Sequence, residues 1–288
     1  MVKLKNILFR FIFLIFILFL GDRSFSQENI ANTANANIEI IYSDSYLQDN
    51  DELIIGLKFK LTPGWHIYWK NPGDSGLPVQ IEWDLPEGIE FEEILWPAPE
   101  IAPLDPLTSY GYYDEVILPI RFSIDSNFSF DSRFSALLSF LICEEICVPE
   151  DTNILIDFSK FNQAQLDNAS SILKYWMDKL PIEANFIIQT FQSDNTFKIL
   201  WESNSALDSA YFYPEQNGLI NYSSEQILNK SSDGYFLTID KPDQFREEIN
   251  FVSGVLELNN NEKKEFFQIG SNIESVSFIE VNLSLIHI

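Results

Sequence analysis

Cysteine, histidine and methionine occur only twice each in these 288 residues, and cations are scarce, with 18 Lys and Arg against 43 Asp and Glu. Each shortage excludes something. Two cysteines cannot build a disulfide-rich scaffold, and with only His66 and His287 beside them they make a thin ligand set for a metal, so no metal site is predicted. A formal net charge of -25 repels phosphate backbones, which argues against nucleic acid as a partner. Beyond the first residues no run is long and apolar enough to cross a membrane. Also missing are a glycine-rich nucleotide loop, a zincin motif and a Gly-x-Ser-x-Gly elbow. Asp105, Asp114 and Glu115 have no partner at a defined spacing and read as solvated loop residues, and His66, next to Trp65, reads as a hydrogen-bonded or surface histidine.

What is present begins with an export signal. Lys3, Lys5 and Arg10 precede an apolar run from Phe11 to Leu20, and Gly21 breaks it. This is the layout of a secretory signal peptide over residues 1–26, with Ser24 and Ser26 suited to cleavage and a mature start near Gln27. An uncleaved anchor is the alternative, because Ile7, Leu8 and Phe9 extend the apolar stretch. No cysteine follows the run, which argues against a lipid anchor. In an oxidising compartment the two cysteines have only each other as internal partners, so a disulfide is the expected state.

From Ile38 onward, short alternating segments lie between turn signals. Strands are predicted over Ile38 to Tyr42, Glu52 to Leu61, Ile67 to Trp69, Val79 to Trp83, Val116 to Ile124, Ala136 to Ile142 and Ile154 to Phe158. Thr62-Pro63-Gly64, Asn71 to Gly76 and Pro86-Glu87-Gly88 supply the turns. Helical spacing appears over Asn162 to Leu180 and ends at Pro181. Strand patterns resume over Phe186 to Thr190, Thr196 to Trp201, Ala210 to Tyr213, Gly234 to Ile239 and Gly254 to Leu258. The expected fold is mostly β: two tandem immunoglobulin-like β-sandwiches, over 27–160 and 183–262, joined by an amphipathic helix within 161–182. Residues 263–288 carry no clear pattern. Leu283 to Ile288 resembles translated adapter read-through from a metagenomic fragment, so the natural protein is expected to continue.

The chemistry-bearing segment is Phe140-Leu141-Ile142-Cys143-Glu144-Glu145-Ile146-Cys147-Val148-Pro149. Three intervening residues allow a chain reversal that brings the sulfurs together. As a staple such a bridge does little: closing about five residues is worth roughly 2 kcal/mol, against roughly 4.7 for a loop of about 100. A short local bridge suits reversible redox better, although a structural staple stays open as the other reading. Glu144 and Glu145 favour the protonated thiol, and no cation lies nearby in sequence, so the motif reads as a partner-dependent reactant. The second concentration is aromatic: Trp65, Tyr68 and Trp69, then Trp96, Tyr110, Tyr112 and Tyr113. These read as core and sheet-face residues, or as a shield or docking surface for the disulfide. Pro97, Pro99, Pro103 and Pro106 predict a loop, and a lid, between Trp96 and Tyr113. The class-level alternative is a non-catalytic binding module whose exposed aromatics bind a carbohydrate or protein and whose disulfide fixes a hairpin.

The segment Gly64-Trp65-His66-Ile67-Tyr68-Trp69-Lys70-Asn71-Pro72-Gly73-Asp74-Ser75-Gly76, with Gly111-Tyr112 and Cys143-Glu144-Glu145-Ile146-Cys147-Val148-Pro149, resembles the N-terminal periplasmic domain of DsbD-type thiol:disulfide interchange proteins, most of all the ScsB branch. Phe212-Tyr213-Pro214 and Ser253-Gly254-Val255-Leu256 extend the resemblance loosely into the second β unit. It implies an immunoglobulin-like fold and a periplasmic protein-disulfide reductase role of the kind that serves cytochrome c biogenesis. Cys143 and Cys147 would be the redox pair, with no cofactor beyond that redox-active disulfide. Electrons would come from a membrane-embedded reductase domain and pass to periplasmic thioredoxin-like proteins. The family's aromatic cap corresponds by position to the segment from Trp96 to Tyr113, with Trp65, Tyr68, Trp96, Tyr110, Tyr112 and Tyr113 as cap or docking candidates. The three-residue cysteine spacing departs from the better-known members.

Overall fold

The computed structural model describes residues 29–44, 47–48, 51–104, 106–203, 205–243, 249–261 and 263–275. The predicted signal peptide, Asp105, His287 and the read-through segment lie outside them. The first unit contains β1 (Ile30–Asn32), β2 (Ala36–Ile41), β3 (Leu47–Gln48), β4 (Glu52–Leu61), β5 (His66–Gly73), β6 (Gln80–Asp84), β7 (Ile89–Ile94), β8 (Glu100–Leu104), β9 (Leu107–Tyr113), β10 (Glu115–Ile124), β11 (Arg133–Cys143) and β12 (Cys147–Asp157). After helix α1 (Gln163–Met177) come β13 (Ile182–Glu183), β14 (Ile188–Gln192), β15 (Thr196–Glu202), β16 (Ser209–Pro214), β17 (Ile227–Lys230), β18 (Gly234–Asp240), β19 (Phe251–Asn260) and β20 (Lys263–Ser275). The chain is mostly β, as its alternation predicts.

The first unit is a sandwich. One sheet has the order β1-β2-β4-β10-β7, with β3 on β4; the other has β12-β11-β5-β9-β8, with β6 on β11. Their inner faces meet in a core that includes Phe59, Phe122, Phe134, Leu138 and Phe140, all nearly fully buried. Phe59 and Phe140 join the sheets edge to face at 5.3 Å, a contact that adds about 0.5–1.5 kcal/mol beyond the area it buries. β12 is an outer strand: one side pairs with β11, and the other receives the Asn29 N–H at the Leu155 carbonyl, at its far end.

Helix α1 begins on a capping box, in which Asn162 accepts from the Gln165 N–H and Gln165 reaches back to the Asn162 N–H. It serves as more than a connector. Its Leu173 packs over Gly56 in β4, where an added Cβ would stand 2.8 Å from the leucine and 2.7 Å from Ile117. The helix therefore covers the outer face of the first sheet, which explains why successive residues Leu53 to Leu57 are all buried where a half-exposed strand would alternate.

The second unit is one continuous path of strands, β16-β19-β20-β14-β15-β18-β17, with β13 also on β20. Strand β20 occupies a stretch whose sequence left its structure unassigned. It pairs antiparallel with β19 along its length and parallel with β14 at its end, and so joins the two wings of the sheet.

The expected loop between Trp96 and Tyr113 is a correction, because β8 and β9 form a hairpin there. The prolines that suggested a loop are accommodated at the margin. Pro103 lies in the outermost strand, where a missing N–H breaks little, and Pro106 lies in the tight turn between the strands.

Candidate redox site

Strand β11 alternates strictly, with Phe134, Ala136, Leu138, Phe140 and Ile142 facing the core. The same alternation turns Cys143 to the outer face of the sheet. Cys143 and Cys147 are directly opposed in the β11–β12 ladder, and Glu144 to Ile146 make the reversal, with the Glu144 N–H donating to the Ile146 carbonyl at 3.2 Å. The two cysteines form a disulfide, with an S–S distance of 2.01 Å and Cα atoms 4.1 Å apart. The two residues differ in access. Cys143 is 1% exposed, whereas Cys147 stands exposed beside Ile146, itself 69% exposed.

Register places one row of residues across the sheet: Cys147 faces Cys143, Cys143 faces His66, and His66 faces Tyr113. Residues opposed in this way share a face. Tyr68, two residues beyond His66, lies on that face too, and its hydroxyl donates to the Cys143 sulfur at 2.8 Å and lies 3.4 Å from the Cys147 sulfur. It is the one hydrogen-bond donor seen on the pair among the described residues. Burial raises the Tyr68 hydroxyl above its ordinary value, so it remains a protonated donor at neutral pH. The segment after β5 folds over this ring: Pro78 bridges to Tyr68, and an added Cβ on Gly76 would meet the ring at 2.3 Å. Only glycine fits at 76, where φ is also +114°.

His66 is a second correction. It is 7% exposed, not a surface residue, and its ring lies between those of Tyr68 and Tyr113 at 5.2 and 5.1 Å. The cysteine therefore does have a histidine neighbour, far away in sequence. Burial lowers its pKa below the ordinary 6.5, so the imidazole is neutral at neutral pH and brings no positive charge to a thiolate. A folded-state pKa below the unfolded one means that the unfolded chain binds the extra proton. Stability from this group is intact above pH 6.5 and falls as the pH drops towards the folded-state value. Urea midpoints at pH 7.5 and 5.5 should show a smaller acid loss in His66→Gln than in the parent protein, and an equal loss would remove His66 as a cause.

The other aromatic candidates divide. Tyr112 is buried in the sandwich, its hydroxyl bonded to the Pro97 carbonyl at 2.7 Å. Tyr110 is fully buried against the second unit, with its hydroxyl 3.0 Å from that of Tyr211. Trp65, Trp96 and Tyr113 are half-buried. The exposed aromatic surface that a binding module requires is not formed by Tyr68, Tyr110 and Tyr112. The ring over the pair belongs to Tyr68, from β5, and the described residues between Trp96 and Tyr113 include the β8–β9 hairpin. Glu144 and Glu145 are exposed at the hairpin tip, and Asp114 and Glu115 are exposed, but Glu115 is no loop residue: it opens β10 and pairs with Lys58 at 3.0 Å. An open cleft of about 910 Å³ lies elsewhere, between β8, the end of α1 and the second unit. Charged groups on its wall pair with each other, Lys264 with Glu257 at 2.8 Å and Lys263 with Glu265 at 2.7 Å.

Sequence reading missed Asn71 and Gly76 as site-building residues. The signal was the Asn71-Pro72-Gly73-Asp74-Ser75-Gly76 run, read as a turn and as part of the family resemblance.

The family model for the N-terminal region of the thiol:disulfide interchange protein DsbD matches residues 39–158. Among solved structures, the N-terminal periplasmic domain of ScsB from Proteus mirabilis matches with a TM-score of 0.65 and 17% identity, over 85% of this chain and 96% of that one. At that identity the likeness shows the fold. The YadV chaperone (TM-score 0.20, 8% identity, 82% and 98% covered) and a protein of unknown function from Porphyromonas gingivalis W83 (0.18, 10%, 77% and 91%) are too dissimilar to carry an argument. No curated protein matches the chain. The β unit that holds the cysteine hairpin is thus the part of the chain that matches the N-terminal family model of the thiol:disulfide interchange protein DsbD.

Proposed function

We propose that the Cys143–Cys147 disulfide cycles with its dithiol and relays electrons in the periplasm. It takes them from a membrane-embedded reductase domain and gives them to thioredoxin-like proteins. The observation that carries the reading is the asymmetry of the pair: Cys147 is an exposed residue, whereas Cys143 is buried and its sulfur accepts a hydrogen bond from Tyr68.

A donor thiolate attacks the Cys147 sulfur, the Cys143–Cys147 bond breaks, and Cys143 leaves as a thiolate. Negative charge then sits beside the Tyr68 hydroxyl, and a hydrogen bond to a thiolate is stronger than one to a disulfide sulfur. The donor's second thiolate attacks its own sulfur in the mixed disulfide and releases Cys147. Two electrons and two protons have then moved from the donor dithiol to this pair. In the onward half, the Cys147 thiolate attacks the acceptor's disulfide, and Cys143 closes on Cys147 to expel the reduced acceptor. No diffusible cofactor enters the cycle.

The test is the reduction potential of the pair, from equilibration in graded thiol buffers with trapping of free thiols. A relay predicts a value of about -120 to -270 mV, within the span of thioredoxin-fold partners. A bridge still closed well below about -300 mV would be a staple and would end this reading.

A further inference from the structure

A run of short contacts leads from the second β unit to the cysteine pair through the one irregular stretch of β5. Tyr68 faces Gly111 in β9, but the next paired residue is Gly73, facing Ser109, so β5 bulges over the residues between. The bulge enters the second unit. Asn71, 1% exposed, donates from Nδ2 to the Pro214 carbonyl at 2.7 Å, and the same nitrogen lies 3.1 Å from the Tyr222 hydroxyl. Its Oδ1 accepts from the Gly73 N–H at 3.1 Å, which fixes the turn that follows. Lys70 pairs with Glu215. Burial works against the Glu215 charge, yet Lys70 and its other partners hold the carboxyl below its ordinary value. Asp74 accepts from the Ser223 hydroxyl at 3.0 Å. The anchored chain then lays Gly76 on the Tyr68 ring, whose hydroxyl touches Cys143.

We infer that the second β unit holds the Tyr68 hydroxyl against Cys143 through the bulge at Asn71, which makes Asn71 and Tyr222 positioning residues that set the redox equilibrium of the pair. The inference rests on the thiol:disulfide reading above. Its direction follows from acceptor strength. A disulfide sulfur is a weak acceptor and a thiolate a strong one, so a loosened donor costs the reduced form more and moves the equilibrium towards the disulfide.

The experiment uses the full chain and reads the equilibrium constant against glutathione in Asn71→Ala and Tyr222→Phe, with near-ultraviolet circular dichroism as the check on folding. Each variant is expected to shift about 3- to 10-fold towards the disulfide, the size of one weakened hydrogen bond. Leu237→Ala, in the core of the second unit and opposite Ile199 and Leu228 in the sheet, should lower the melting temperature and leave the constant unchanged. In a Tyr68→Phe background the Asn71→Ala shift should vanish, because the hydroxyl through which it acts is gone. If Asn71→Ala fails to fold, Tyr222→Phe, which removes a single oxygen, carries the test. A parental constant in folded Tyr222→Phe, or a full Asn71→Ala shift without the Tyr68 hydroxyl, would overturn the inference while the relay stands. A parent protein that glutathione cannot reduce would instead end the relay reading itself.

Discussion

Cys143→Ala is expected to trap a mixed disulfide readily, whereas Cys147→Ala should trap at least about tenfold less, and both should abolish turnover. The prediction comes from access. With Cys143 removed, Cys147 remains an exposed thiol at the start of β12, and no internal thiol can resolve the adduct it forms. With Cys147 removed, the surviving thiol is 1% exposed beneath Tyr68, and an attacking thiolate also needs a line of approach along the bond it breaks. The probes are glutathione disulfide and a thioredoxin-fold protein that lacks its resolving cysteine, activated as a mixed disulfide, with products separated on non-reducing gels. Stronger trapping by Cys147→Ala would reverse the assignment of the attacked sulfur.

Tyr68→Phe should slow reduction of the disulfide by dithiothreitol about 10- to 100-fold. Hydrogen bonds to charged groups contribute about 1.5–3 kcal/mol, and each 1.4 kcal/mol on a barrier is tenfold in rate. The charge in question is the thiolate that Cys143 becomes as it leaves, since the neutral His66 on its other side offers no cation. Phenylalanine keeps the ring under Gly76, so packing changes little and the effect isolates the 2.8 Å contact of the hydroxyl. Stopped-flow rates decide it. A rate within about twofold of the parent would show that the hydroxyl is present for burial alone.

The elements that alternation predicts most cleanly, β11 and β15, are present because each has one face in a core, and period two is how a strand shows that in sequence. The cysteine hairpin was legible for a similar reason, since a three-residue separation constrains the chain locally. What lay beyond the sequence depends on register between distant segments. Tyr68 and Cys143 are 75 positions apart, and nothing near either residue says that they meet. The row from Cys147 through His66 to Tyr113 forms only once four strands have aligned, so the histidine beside the cysteine was invisible. Pro97 to Pro106 misled because proline signals a loop unless the strand lies at a margin, and that position is a tertiary fact. Residues 263–275 mix Lys, Glu, Phe and Ser without clean alternation, because β20 changes partners along its length.

Strand β12 gives the site a way to let go. It is the outermost strand of its sheet, and it starts at Cys147, where an extended visiting chain would otherwise add itself as a further strand. Two residues on, Pro149 has no hydrogen to offer such a strand, and further along, Asn29 already occupies the Leu155 carbonyl. The stretch of edge open to a visitor beside Cys147 is therefore short. Contact held by so few hydrogen bonds would be brief, as the relay proposed above requires of a carrier that must release one protein before it can serve the next.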